Sequence, residues 1–320
     1  MHLSTVILPV FPWHTEGRAV WRRAEELGFH AAYTYDHLTW LSFRGGPWHA
    51  TVPTLSAAAA VTERIRLGTM VASPNFRHPV PFAKELMTLD EISGGRFTLG
   101  IGAGAGGDAF DASVLGEHPW STKERTERFG EFTRLLDRLL TRDETSAEDN
   151  AHYKAHRAEM LPGSTQRPRM PFHVAAIGPR AMRLTAELGQ GWITYGAAED
   201  GWRVVDGQIE RLREACAAHG RDFAELELTL LAMGRAKRER PLESFEAFLD
   251  WAGRYREIGI TELVLHWPIP DTEFAADMKV FERIATEGLS QLDGPTREGP
   301  THEGPAHEGP THEGPARVHG

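Results

Sequence analysis

Two adjacent side chains of this 320-residue chain, Asp36 and His37, follow directly on the apolar run HAAYTY, where a buried strand meets a loop. Histidine titrates near neutrality and can pass a proton to or from a substrate, while a neighbouring carboxylate can fix its tautomer or hold the substrate. His37 is therefore assigned the acid/base role and Asp36 the supporting one. Successive strand residues point to opposite faces, so one of the pair can serve the next loop while the other faces a ligand. A second cluster is the series Gly100, Gly102, Gly104, Gly106 and Gly107 at the end of RFTLGIG. Gly102, Gly104 and Gly107 satisfy G-x-G-x-x-G, yet a loop through DAFDASVLGEHPW follows instead of a helix, and Glu127 falls inside the next helix. That context argues against a dinucleotide fingerprint. Glycines at a strand's carboxyl end still expose backbone N–H groups that can cradle a phosphate, which accounts for five glycines better than one tight turn does. In PFHVAAIGPRAMRLTAELG, Gly178 turns the chain, Pro179 fits the first helical position and Arg180 adds charge. A helix N-terminus attracts anions, although Gly-Pro also starts a helix with no ligand in view.

Trp13, Trp40, Trp48, Trp192 and Trp267 follow or end apolar runs, so they are expected to line one rim and to favour an apolar or aromatic substrate. Filling gaps between loops is an equally good use for any one of them. Arg44, Arg77 and His78 are candidate polar handles. No closely spaced His-x-His pair is present, and His152 and His156 sit in a polar stretch, so no metal site is assigned. The single cysteine, Cys216, lies in a helical pattern and is given no role.

The elements that must position these residues are eight apolar runs: LSTVILPV, HAAYTYD, IRLGTMVAS, RFTLGIG, PFHVAA, GWITYG, LELTLLAMG and ELVLHW. Amphipathic stretches alternate with them, with Gly28, Gly189 and Gly259 sited as helix stops. Eight such units in about 290 residues favour an α/β fold of the (β/α)8 TIM-barrel type, although periodicity alone leaves a doubly wound sheet open. The pattern breaks between Thr141 and Met170, an insertion after the fourth helix that could serve as a lid. A barrel domain is thus expected over 1–292 and a disordered Gly-Pro-Thr-His-Glu repeat tail over 293–320, whose His302, His307 and His312 are given no metal role.

With 41% apolar and 25% charged residues the composition is that of a soluble globular protein. No run reaches the roughly 18 apolar residues of a membrane span. The opening MHLSTVILPVF reads as a first strand rather than a signal peptide, so a cytoplasmic location is expected. A net charge of −10 argues against nucleic acid and for a small-molecule partner.

From Val6 to about Ile284 the chain resembles the luciferase-like family of flavin- and deazaflavin-dependent oxidoreductases. The segments carrying the resemblance are AEELGFHAAYTYDHL, VTERIRLGTMVASPNFRHP, LDEISGGRFTLGIGAG and AAIGPRAMRLTAELGQGW, in that order. It implies a barrel, often dimeric, with a coenzyme ring across the strand carboxyl ends. Asp36 and His37 match the pair beside the reactive ring face. Met70 and Val71 match a cis bond behind the ring. Gly104, Ala105, Gly106 and Gly107 match the phosphate loop, and Ala176, Gly178, Pro179 and Arg180 a segment along the coenzyme's side chain. Sugar-phosphate dehydrogenases of the family carry a glutamate where Ala105 stands, which argues against that reaction. The resemblance favours hydride transfer with the deazaflavin coenzyme F-420. FMN-dependent monooxygenation, which would need a flavin reductase as partner, and non-catalytic flavin binding stay open.

Overall fold

The structure is a computed structural model, and it describes residues 1–104, 111–195, 201–233 and 239–292. All eight apolar runs become parallel strands of one closed barrel: β1 (His2–Val6), β2 (Ala31–Thr34), β3 (Arg66–Thr69), β4 (Phe97–Gly102), β7 (Phe172–Ala175), β8 (Gly191–Tyr195), β9 (Glu227–Leu231) and β10 (Glu262–His266). Closure comes from β1 pairing with β10, His2 opposite Glu262 through Val6 opposite His266. The long helices between strands are α1 (Arg18–Glu26), α2 (Thr51–Ala59), α3 (Pro79–Ile92), α5 (Thr122–Thr141), α6 (Pro179–Leu188), α7 (Gly201–His219), α8 (Phe245–Glu257) and α9 (Met278–Leu292). A short helix α4 (Asp111–Val114) precedes α5. Their starts follow capping chemistry: Ser121 accepts from the Glu124 amide and Ser244 from the Ala247 amide, each satisfying an otherwise orphaned donor.

Parity along each strand divides the core in two. Leu3, Ala32, Leu67, Leu99, Val174, Trp192, Leu230 and Leu263 pack outward against the helices. Val6, Tyr33, Tyr35, Met70, Ile193, Leu231 and Val264 point into the barrel. Low in the barrel, Glu262 accepts hydrogen bonds from the hydroxyls of Ser4, Tyr33 and Thr229, and burial pushes its carboxyl above the usual range. The bulk of these inward groups explains several glycines. A Cβ on Gly68 would meet the Tyr33 ring at 2.7 Å, and one on Gly191 would meet the His173 ring at the same distance.

The polar 141–170 insertion contains an antiparallel hairpin of β5 (Glu144–Ala147) and β6 (Ala155–Glu159). The segment packs against the outer side of the barrel and, through Tyr153, against the loop after β3 at Pro74. Glu131 of α5 accepts from the amides of Ala151, His152 and Tyr153, and the buried Tyr153 ring packs edge-on to Phe132 and His78. Farther along, Gln166 bonds Asp90 of α3 and Arg169 pairs with Asp137 of α5. These contacts anchor the segment to the α3 and α5 side, where charged and amide groups supply what a polar sequence can use. No described helix is long and apolar enough to cross a membrane. The repeat tail lies outside the described residues.

Candidate active site

The inward rows of β2 and β10 end in a group of rings at the carboxyl end of the barrel, where side chains from several strands converge. His37 stands 5.0 Å from the Trp40 ring and Tyr35 lies 5.0 Å from the same ring. Tyr35 is 5.7 Å from His266, and His266 stacks on Phe274 at 4.2 Å. Phe274 faces Phe43 at 6.2 Å and Phe43 faces Trp48 at 6.1 Å. The Trp48 indole N–H donates to the His37 carbonyl at 2.7 Å, so the chain of rings closes on itself. A cavity of 490 Å³ adjoins this belt, with Met233, Leu242, His266, Phe274 and Ala276 among its lining.

Hydrogen bonding within the belt assigns protons. His266 Nδ1 lies 3.0 Å from the Ala232 carbonyl, which only accepts, so Nδ1 carries the hydrogen and Nε2 accepts from the Tyr35 hydroxyl at 2.8 Å. Burial lowers His266 to about 4 and, with Glu273 nearby, pushes Tyr35 well up, so both are neutral at ordinary pH.

Asp36 and His37 part ways, as strand alternation requires. Asp36, 1% exposed, turns outward and forms a two-pronged ion pair with Arg77, both bonds 2.8 Å long. Arg77 also reaches Glu85 and lies 4.3 Å over the Phe82 ring. The supporting role expected of Asp36 at the imidazole is therefore corrected, because its carboxylate is spent on Arg77. His37 Nδ1 instead lies 3.1 Å from Asp111 Oδ2, while Asp111 Oδ1 accepts the Leu38 amide at 2.8 Å. Sequence reasoning passed over Asp111, Tyr35 and His266. The separation of 74 positions between Asp111 and His37 offers no spacing signal, but the parity of residues 35 and 37 could have marked Tyr35.

Behind this group the Met70–Val71 peptide bond is cis, as the resemblance implies. Met70 is buried in the barrel interior and Val71 packs half-buried against it. A profile of the luciferase-like monooxygenase family matches residues 11–286.

The chain belongs to that family. Among curated relatives of this luciferase-like protein, an F420-dependent glucose-6-phosphate dehydrogenase of Beutenbergia cavernae is 36% identical over 212 residues, 65% of this chain and 60% of the relative. A 4-hydroxyprotoasukamycin monooxygenase of Streptomyces nodosus subsp. asukaensis is 30% identical over 250 residues, 75% of this chain and 65% of the relative. The chain thus spans 60 to 65% of the length of these two relatives. The coenzyme F420 dependent tetrahydromethanopterin reductase of Methanopyrus kandleri superposes with a TM-score of 0.73 at 18% identity, covering 91% of this chain and 99% of that one, which shows the shared barrel.

The remaining expected positions distribute unevenly over the luciferase-like scaffold. Trp40 and Trp48 belong to the ring belt. Trp192 and Trp267 do not line the mouth. Both are buried in the outer core, where the Trp192 indole N–H donates to the Ala176 carbonyl and Trp267 packs edge-on to Phe281. Their strand parity points them at the helices. Trp13 sits in a single π-helical turn (Trp13–Gly17) beside a separate 250 Å³ pocket between α1 and α2. Arg77 and His78 are not handles for substrate: Arg77 is consumed by Asp36 and Glu85, and His78 Nδ1 caps α3 through the Val80 amide. Arg44 is exposed. A cavity of 760 Å³ lies on the outer wall between α5 and α6, where Arg180 faces Glu127 at 3.8 Å.

The glycine series also needs a partial correction. A Cβ on Gly100 would run into the Thr69 carbonyl oxygen, one on Gly102 into the Val71 side chain at 2.9 Å, and one on Gly104 into Asn75. These three make room for the chain's own atoms. Ala105, Gly106 and Gly107 lie outside the described residues. A coenzyme's hydroxyl-bearing side chain still fits here, because Asn75 Oδ1, buried beside Gly104, has no hydrogen-bond partner among the described residues and can accept from a hydroxyl, though not from a phosphate. Gly178 supports the fit: it precedes Pro179 at the start of α6, and nothing lies within 4 Å of where its Cβ would be.

Proposed function

We propose that this luciferase-like protein is an oxidoreductase that uses the deazaflavin coenzyme F-420 to act on a small organic substrate. The observation carrying this reading is His37, a proton-transfer group held at the barrel mouth inside a belt of aromatic rings. Relatives and solved neighbours named as F420-dependent support the choice of coenzyme. A bound deazaflavin would supply hydride transfer at its ring. The chain's residues would do the rest. Val71 and the Met70–Val71 turn would back the ring, while Gly104, Asn75 and the start of α6 at Gly178 would hold the coenzyme's hydroxyl-bearing side chain. His37 would exchange a proton with the substrate oxygen, and Trp40, Trp48 and Phe274 would exclude water and favour apolar or aromatic surfaces. A cytoplasmic location and homodimeric assembly are part of the same proposal.

FMN is the second reading, supported by the relative named as a monooxygenase, and it would add a flavin reductase as partner. Ring ligand recovered from protein purified out of its own cells distinguishes the two by absorbance. Deazaflavin is expected, together with reversible reduction of the bound ring by an organic donor. Recovered FMN would overturn the coenzyme assignment. A bound ring that never exchanges electrons with any donor would reduce the protein to a binding module.

A further inference from the structure

We infer that Asp111 is a positioning residue that fixes His37 as the Nδ1-protonated tautomer, so that Nε2 is the nitrogen that takes a proton at the mouth. The inference rests on the oxidoreductase reading for its purpose but not for its geometry. Asp111 is fully buried, and both of its oxygens turn to the end of β2: Oδ2 to His37 Nδ1 at 3.1 Å and Oδ1 to the Leu38 amide at 2.8 Å. A carboxylate accepts and does not donate, so the hydrogen on this contact belongs to the imidazole. A neutral imidazole then carries its lone pair on Nε2.

Among the described residues, three hydrogen bonds help hold the group against rotation. Trp48 pins the His37 carbonyl, Asp111 pins the next amide, and Asp111 also pins the ring, whose side chain is 11% exposed. Asp36, adjacent in sequence, cannot substitute, since Arg77 engages both of its oxygens. The arrangement pairs residues 74 positions apart, and it suits a group that must meet a substrate hydroxyl with an acceptor already aimed.

Asp111→Asn is the test, because it is isosteric and separates geometry from charge. The asparagine oxygen can keep the Leu38 amide, and its N–H₂ then faces His37 Nδ1, which must become the acceptor and move the proton to Nε2. Nitrogen-15 spectra of His37 in coenzyme-free protein are expected to show Nδ1 protonated in the parent and Nε2 protonated in the variant. In loaded enzyme the variant is expected to lose about 10²- to 10⁴-fold in kcat with KM and deazaflavin affinity within twofold of the parent. A parent His37 protonated on Nε2, or a variant with unchanged tautomer, would overturn the inference even if the variant were unstable, since the parent spectrum alone decides the first point. Unchanged kcat after a tautomer flip would overturn the catalytic purpose. An Nδ1-protonated His37 in a protein that binds no deazaflavin would uphold the Asp111 assignment while removing the coenzyme reading.

Discussion

At the scale of single residues, the site depends on which neighbour each charged group finds first. Asp36 and His37 are adjacent, yet one is committed to Arg77 behind the strand and the other to Asp111 at the mouth. His37→Ala is expected to slow turnover by about 10²- to 10⁴-fold, the worth of a positioned proton carrier, while the coenzyme still binds. Steady-state rates at saturating coenzyme check this, and near-normal turnover would remove His37 from the mechanism. Buried histidines away from the site behave differently. His173 lies inside β7 with Nδ1 lacking a partner among the described residues, and burial depresses it from about 6.5 to about 3. The folded protein therefore resists a proton that the unfolded chain accepts, so this contribution is complete above pH 6.5 and is lost as pH falls toward 3. His173→Phe, which keeps a ring over Gly191, should flatten the acid side of the stability profile by about 1.4 kcal/mol per pH unit between pH 6 and 4. Urea unfolding at several pH values reads the slope; parallel profiles would show that His173 titrates normally.

At the scale of elements, the carboxyl ends of β3 and β4 are packed more tightly than a string of glycines suggests. Gly100 and Gly102 face inward and let the β3 backbone and Val71 approach. Gly100→Ala should cost about 3 kcal/mol, because its methyl would meet a backbone carbonyl that cannot swing aside as a flexible side chain could. Thermal unfolding of the variant checks it, and a shift under 2 °C would show that β3 yields. The hairpin of β5 and β6 makes the opposite point. Its polar residues form a strand pair because α5 offers Glu131 to its loop amides and Phe132 to Tyr153, partners invisible in the local sequence.

At the scale of the whole molecule, closure between β1 and β10 joins the two ends of the barrel and leaves α9 as its last described element. Residues 293–320 repeat Gly, Pro, Thr, His and Glu and offer almost nothing to bury. A chain ending at Leu292 is accordingly expected to unfold within about 2 °C of the full-length protein and to keep its turnover. A loss of several degrees in a matched calorimetric scan would assign the tail a structural role.

Strand positions, the barrel and the family were legible in the sequence, because apolar runs of the right length, separated by capped amphipathic helices, record local burial. The mouth position of His37 followed from its place at a strand end. Partner choice was not legible. Trp192 lies in and Trp267 directly after strands apolar on both faces, so composition could not say which side met the helices. Asp36 and Asp111 are chemically alike, and only the folded path of the chain set one against Arg77 and the other against His37. Hydrophobic pattern is a property of neighbours along the chain, whereas a hydrogen-bonded pair is a property of neighbours in space. The fold could therefore be read in advance, and the wiring of the site was decided by tertiary structure alone.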